Sequence, residues 1–255
     1  MKKINNMTGH DISNIDTIIF DVDGVLVPRG TKITQVGNKT SFTTKKIPLK
    51  LSLDIKELVL LGYDIVISSG RGLYMLQEMF RDMLPYIKII YENGSAVWSN
   101  GNVEVFTPDA FEYLYPLHMK LLKVKHKNIK GFEPKEFIIT LHCTDRVPEV
   151  EKIAEKVDGI YCLWNGEAYD FGVENHQTKG EAVKDYFKSF DGKKENTMAI
   201  GDNYNDKELI NEAGLKITAD KTRLKGDFYI DLEGKKLPGQ VLVSKILYLQ
   251  KRKIK

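Results

Sequence analysis

The sequence predicts an α/β protein whose core is a Rossmann-like parallel sheet, interrupted by an inserted α+β unit. Three observations carry this. Short apolar runs alternate with amphipathic stretches over residues 15–91 and again over 179–250, which is the rhythm of βαβ units. Between these halves the rhythm changes to paired apolar alternations around Asn-Gly, the strongest short-range hairpin signal. Acidic and hydroxyl motifs stand directly after the apolar runs, where open α/β sheets bind their ligands.

In order, residues 15–20 read as the first core strand, 49–61 as a helix, 63–68 as a strand, 73–83 as a helix and 87–91 as a strand. The second half gives a helix over 179–190, a strand over 197–200, a helix over 206–213 and a strand over 214–218. A terminal helix, 238–250, ends in Lys251-Arg252-Lys253. Residues 94–174 compose the insert. There, 96–98 and 103–106 flank Ser99-Asn100-Gly101-Asn102, while 160–164 and 168–173 flank Asn165-Gly166-Glu167. A further strand is expected over 136–143, with helices near 110–123 and 147–157. The core is therefore discontinuous, spanning 1–93 and 175–255. Within it, the polar, β-branched stretches 31–36 and 41–47 flank Gly37-Asn38, so that 28–48 reads either as a projecting flap hairpin or as a solvated loop. An isolated hairpin is only marginally stable in water.

At 255 residues and 42% hydrophobic composition, the chain can bury one large core or two modest ones. A formal net charge of +3 gives no global field that implies nucleic acid. The first eleven residues contain no signal-like apolar stretch, and no window approaches the roughly 20 apolar residues of a membrane span. A cytoplasmic location is therefore expected, with no membrane or nucleic-acid partner. Cys143 and Cys162 lie in strand-like apolar runs without a CxxC or histidine cluster, so both are expected as buried free thiols. Monomer and homo-oligomer are equally compatible with the sequence.

The chemistry resides in four motifs. Asp21-Val22-Asp23-Gly24 follows the first strand. Side chains alternate along regular β structure, so two aspartates at this spacing share a pocket only if the strand ends there, and Gly24 permits such a turn. One carboxylate can then attack phosphorus while the other moves a proton. Ser68-Ser69-Gly70-Arg71 ends a strand and opens a helix, where a hydroxyl and backbone N–H groups can hold phosphate oxygens or simply cap the helix. Lys179-Gly180 places a point charge at another helix start. In Gly201-Asp202-Asn203-Tyr204-Asn205-Asp206, three oxygen-bearing side chains cluster where a magnesium ion could be held.

With these motifs in this order, the chain resembles the haloacid dehalogenase (HAD) superfamily of phosphohydrolases. The resemblance implies Asp21 as nucleophile, Asp23 as general acid/base, Ser69 (with Ser68 as the alternative) as the phosphate-binding hydroxyl, and Lys179 as the basic residue. It implies Mg2+ as cofactor, with Asp21, Asp23, Asp202 and Asp206 as metal residues, Asp23 through its carbonyl and Asp206 either directly or from behind. Gly70, Arg71, Asn93 and Asn205 join Ser69 and Lys179 as expected substrate-binding residues. The insert resembles a C2-type cap, entered at Tyr91-Glu92-Asn93-Gly94 and left from Phe171-Gly172-Val173 to Lys179-Gly180. The likeness is greatest to Cof-like, archaeal phosphoglycolate and sugar-phosphate phosphatases. The 28–48 segment departs from these and is more like the flap of a capless branch. The implied function is magnesium-dependent hydrolysis of a small phosphomonoester, a sugar phosphate or a phosphorylated acid, through an aspartyl-phosphate. A phosphotransferase or phosphomutase would use the same parts. A catalytically idle binding module is opposed by the intact set of Asp21, Asp23, Ser69, Lys179 and Asp202. Lys120, Lys123, Lys125, Lys127 and Lys130 crowd one segment of the insert, either to favour an anionic substrate or as a solvated basic face.

Overall fold

The computed structural model describes residues 1–36, 39–107, 109–174, 177–231 and 236–253. The first part of the chain builds β1 (Lys2–Lys3), β2 (Thr17–Asp21), β3 (Lys32–Val36), β4 (Lys39–Thr43), α1 (Leu49–Leu60), β5 (Asp64–Ser68), α2 (Leu73–Met79) and β6 (Lys88–Tyr91). Next come β7 (Ala96–Ser99), β8 (Asn102–Val105), α3 (Ala110–Leu121), β9 (Ile129–Glu133), β10 (Ile139–Cys143), α4 (Pro148–Ala154), β11 (Ile160–Trp164) and β12 (Ala168–Val173). The last part contains α5 (Lys179–Phe190), β13 (Thr197–Gly201), α6 (Lys207–Asn211), β14 (Leu215–Thr218), β15 (Phe228–Tyr229) and α7 (Pro238–Lys253).

Nine strands form the core sheet in the order β1-β15-β14-β13-β2-β5-β6-β7-β8, parallel as far as β6. β2 lies near its middle because it is apolar on both faces, as a doubly covered parallel strand must be. Ile18 and Phe20 join one core cluster with Leu51, Ile55 and Leu58 of α1 and with Leu242, Val243 and Ile246 of α7. Ile19 points the other way, into a second cluster with Ala182, Val183 and Tyr186 of α5 and Leu209 of α6. The chain runs from β2 to β5 on one side, while β13 pairs with the other side. The carboxyl ends of β2, β5 and β13 thus meet where the strand order reverses, the usual place for a ligand.

The expected elements shift in a few places. The 73–83 helix stops at Met79 and continues as a 3₁₀ stretch over Arg81–Tyr86 that contains Pro85, a residue that removes a helical hydrogen bond. Tyr204–Asp206 forms a 3₁₀ turn, and α6 begins only at Lys207. The first hairpin expected in the insert instead extends the core sheet: β7 pairs antiparallel with β6, and β8 with β7. The reason is local, since the Asn93-Gly94 turn is tight enough to send the chain straight back beside β6. Gly94 takes φ +95°, and a Cβ there would lie 2.4 Å from Ala182 Cβ and 2.6 Å from the Thr178 carbonyl oxygen.

The insert's own sheet has four antiparallel strands, β11-β12-β10-β9, and β9 was not anticipated. One face, with Ile139, Leu141, Cys143, Tyr169 and Phe171, packs on Leu114, Leu117 and Leu121 of α3 and on Val150 and Ala154 of α4. The other face is polar. Between Pro28 and Pro48, β3 and β4 pair antiparallel in a separate two-stranded sheet, and β3 packs beside β9. The expected turn Gly37-Asn38 lies outside the described residues, as do residues 175–176, where the second core segment was expected to begin. Cys143 is buried, as expected, whereas Cys162 is exposed; both are free thiols.

Candidate active site

Asp21 is the last residue of β2, and the chain then turns back tightly. Gly24 donates to the Val27 carbonyl at 2.8 Å, and Leu26 and Val27 donate to the Val22 carbonyl at 2.9 and 3.0 Å. This loop presents Asp21 and Asp23 to one cavity of about 330 Å³. Ser69, Gly70, Arg71, Asn93, Lys179, Asp202 and Asn205 line the same cavity. Asp206 stands behind it, almost wholly buried.

Each carboxylate has a cation or a loop to hold. Lys179 Nζ donates to Asp21 Oδ1 and to Asp206 Oδ1, both at 2.5 Å. Thr178 caps the helix that carries this lysine by accepting from the Glu181 N–H at 3.2 Å. The other oxygen of Asp206 accepts the N–H groups of Asp202 at 3.0 Å and Asn203 at 3.1 Å, which fixes the loop after β13. Arg71 grips Asp23 through two hydrogen bonds of 2.7 and 2.6 Å. Arg29 grips Asp202 likewise, at 3.1 and 2.7 Å. Ser69 Oγ accepts from the Arg71 N–H at 3.2 Å, inside the cavity. Ser68 Oγ is buried without a hydrogen-bond partner among the described residues, and of the two serines Ser69 lines the cavity.

Burial, reinforced by Asp206 and Asp202 and only partly relieved by Lys179, pushes the Asp21 pKa well above the ordinary carboxyl value. Burial also raises Asp202, although Arg29 pulls the other way. For Lys179, burial opposes the charge, but Asp206 and Asp21 outweigh it and hold the ammonium above its usual pKa. Four carboxylates therefore face three cations, Lys179, Arg71 and Arg29. This leaves an excess of negative charge that a divalent cation could offset. The donor set fits such an ion, because Asp21, Asp202 and Asp206 offer carboxylate oxygens within 4.8 Å of one another, all of them hard ligands. Asp21 and Asp202 line the cavity whereas Asp206 stands behind it, so Asp21 and Asp202 are the better direct ligands.

The far wall comes from the insert and was not anticipated. Glu133 of β9 and Asp170 of β12 sit opposite Thr140 of β10 in the sheet register. With His142 they project from the polar face into the same cavity, joined by Lys135 and Asn165. Thr140 Oγ1 donates to Asp170 at 2.6 Å, and His142 Nε2 lies 2.8 Å from Glu133. Lys135 Nζ pairs with Glu133 at 2.8 Å and donates to the Gly70 carbonyl at 2.6 Å, closing the insert onto the loop after β5. Burial works against the Glu133 charge, yet Lys135 and His142 overcome it and bring its pKa down to about 2. The signal for this wall was available: Thr140 and His142 alternate with Ile139, Leu141 and Cys143, and Asp170 stands between Tyr169 and Phe171. By contrast, Lys120, Lys123, Lys125, Lys127 and Lys130 are all exposed and do not line the cavity; they form a solvated face.

A family model described as haloacid dehalogenase-like hydrolase matches residues 104–221, which contain Lys179, Asp202 and Asp206 but neither Asp21 nor Ser69. No curated protein matches the sequence. Among solved structures, a Bacteroides thetaiotaomicron protein described with the phosphatases of the haloalkanoate (HAD) enzyme superfamily is 18% identical, with a TM-score of 0.68 over 92% of this chain and 95% of that one. A trehalose-6-phosphate phosphatase related protein is 18% identical, with a TM-score of 0.64 over 92% and 99% of the two chains. A haloacid dehalogenase-like hydrolase from B. subtilis is 14% identical, with a TM-score of 0.60 over 85% and 94%. The resemblance read from the motifs is borne out, and the chain has the haloacid dehalogenase fold.

Proposed function

We propose that this haloacid dehalogenase fold serves as a magnesium-dependent phosphatase of small phosphomonoesters, working through an aspartyl-phosphate on Asp21. The observation that carries the reading is the convergence of Asp21, Asp23, Ser69, Lys179 and Asp202 on one cavity at the ends of three adjacent parallel strands. Asp21 and Asp202 would hold magnesium through their carboxylates and Asp23 through its carbonyl, and the ion would supply positive charge between nucleophile and phosphate. Asp21 Oδ attacks phosphorus as the bond to the leaving oxygen breaks, and Asp23 gives that oxygen its proton. In the second step Asp23 takes a proton from water, whose oxygen attacks the phosphoryl group and frees Asp21. Lys179 fixes the attacking carboxylate, Arg71 orients Asp23, and Ser69 with the loop N–H groups receives phosphoryl oxygens. Gly70, Asn93 and Asn205 line the space around them.

The insert, taken from the end of β8 to residue 174, acts as the cap that selects the leaving group. Its wall sets two carboxylates, Glu133 and Asp170, against one lysine and adds Thr140, His142 and Asn165 as further polar partners. Such a wall suits the hydroxyls of a sugar phosphate better than the second negative charge of a phosphorylated acid. A cytoplasmic setting belongs to the same reading and accords with two free thiols. The test is phosphate release with magnesium over a panel of phosphorylated sugars, acids and nucleotides. Sugar phosphates should give the highest kcat/KM. Release from none of the panel, with the metal shown to bind, would overturn the phosphatase reading, and transfer of the phosphoryl group to an added alcohol in place of release would reassign the protein as a phosphotransferase.

A further inference from the structure

Arg29 stands where the catalytic loop passes into the β3–β4 hairpin. Its Nε donates to Asp202 Oδ2 at 3.1 Å and its Nη2 to Asp202 Oδ1 at 2.7 Å, so one guanidinium occupies both oxygens of the carboxylate. The local chain is built to accommodate this pair. Gly24 has φ +87°, and a Cβ on it would fall 2.0 Å from Asp202 Oδ2 and 3.0 Å from Arg29 Nε. The turn that ends at Val27 is fixed by its backbone hydrogen bonds, Pro28 locks its own φ and restricts Val27 before it, and Gly30 at φ +110° begins the path to β3. Gly30 and Thr31 line the catalytic cavity, and β3 packs beside β9 of the insert.

A magnesium ion sits about 2.1 Å from a carboxylate oxygen. It cannot share the inward face of Asp202 with a guanidinium that already binds both oxygens, because the two cations would lie within a few ångströms of each other in a half-buried site. We propose that Arg29 is a built-in competitor for the divalent cation at Asp202, and that its displacement links metal binding to movement of the 29–36 segment. This rests on the reading of Asp202 as a metal ligand. The competition makes the affinity for metal weaker than the carboxylates alone would give. It also passes the state of the metal site to a hairpin that touches the substrate-selecting insert.

The experiment measures magnesium binding to the full chain by calorimetry, without substrate, for the wild type and for Arg29→Met, Arg29→Lys and Lys32→Met. Arg29→Met should bind magnesium about tenfold more tightly, within the range typical of coupled sites. Arg29→Lys, which keeps the charge but loses the two-pronged grip, should fall between it and the wild type. Lys32 is exposed on the same hairpin and does not line the cavity, and its removal should change nothing. Hydrogen exchange gives the second readout: magnesium should accelerate exchange of the amides of residues 30–34 in the wild type and leave Arg29→Met unaltered. An unchanged or weaker affinity in Arg29→Met overturns the proposal, as does an equal gain in Lys32→Met, which would reduce the effect to general charge. Absence of magnesium binding in every variant overturns it together with the metal reading. Binding that is present but indifferent to Arg29 overturns the competition alone.

Discussion

Lys179 and Asp21 are 158 residues apart in sequence and 2.5 Å apart in the fold. An ammonium buried with two acids is a strong commitment, because removing one partner of a buried pair strands the remaining charge. Lys179→Met should therefore lower stability by about 3–5 kcal/mol, measured by urea denaturation, besides abolishing turnover. A change below about 1 kcal/mol would show that the carboxylates relax by protonation instead. Asp21→Asn should keep the fold, since Asp206 still pairs with the lysine, while kcat falls by more than about 10⁴-fold. Glu133 gives a pH signature with a definite sign. Its pKa is about 2 in the folded chain against about 4.3 in an unfolded one. The stability it contributes is thus complete above about pH 4.3 and is lost as the pH falls towards 2. Urea denaturation at several pH values should show the gap between wild type and Glu133→Gln narrowing through that window, and a constant gap would rule the ion pairing out as its cause. At this scale the motif residues were legible because each follows a strand or opens a helix. Arg29 was not: a single arginine after proline carries no pattern, and its partner Asp202 is 173 positions away.

Two chain crossings join core and insert, and both are tied to the same short segment. The Glu92 carboxylate accepts the N–H groups of Glu136, Phe137 and Ile138 at distances from 2.7 to 3.2 Å. Gln177 donates to the Phe137 carbonyl at 3.0 Å and to Ser95 Oγ at 2.8 Å, while accepting from the Val173 N–H at 2.7 Å. Glu92 and Asn93 adopt left-handed φ values of 49° and 54°, strain that such a junction must outweigh. Glu92→Ala removes the acceptor of three N–H groups, of which that of Ile138 belongs to a buried residue. It should cost about 2 kcal/mol or more and speed hydrogen exchange at residues 136–138; unchanged exchange there would show the tie to be incidental. The elements themselves were largely legible, since long periodic segments such as α5 and the β11–β12 hairpin announce their own period. What sequence could not assign was allegiance. The β7–β8 hairpin has the same Asn-Gly grammar as β11–β12, and only its pairing with β6 makes it part of the core sheet. Likewise, β9 has weak strand character of its own, with Lys130 and Gly131 in its run, and is fixed by pairing with β10.

Across the whole molecule, two differently built sheets face each other over one cavity. The parallel core brings three strand ends to one side of it, and the insert turns its polar face toward them while burying its apolar face under α3 and α4. This division predicts separable effects. Asp170→Asn should alter relative kcat/KM among phosphorylated sugars by about tenfold or more while leaving hydrolysis of p-nitrophenyl phosphate nearly unchanged, and equal losses on every substrate would place Asp170 in the chemistry instead. Chelation should silence turnover and magnesium should restore it; full activity in protein shown to be metal-free would remove the ion from the mechanism. The central claim, that Asp21 becomes phosphorylated, is tested most directly in Asp23→Asn, which lacks the carboxylate we propose to activate water. Mixed with magnesium and p-nitrophenyl phosphate, this variant should release one equivalent of nitrophenolate per chain. Borohydride reduction followed by peptide mass spectrometry should then place the modification on Asp21. A label on another residue, or no burst and no label under conditions in which the wild type turns over, would contradict the account.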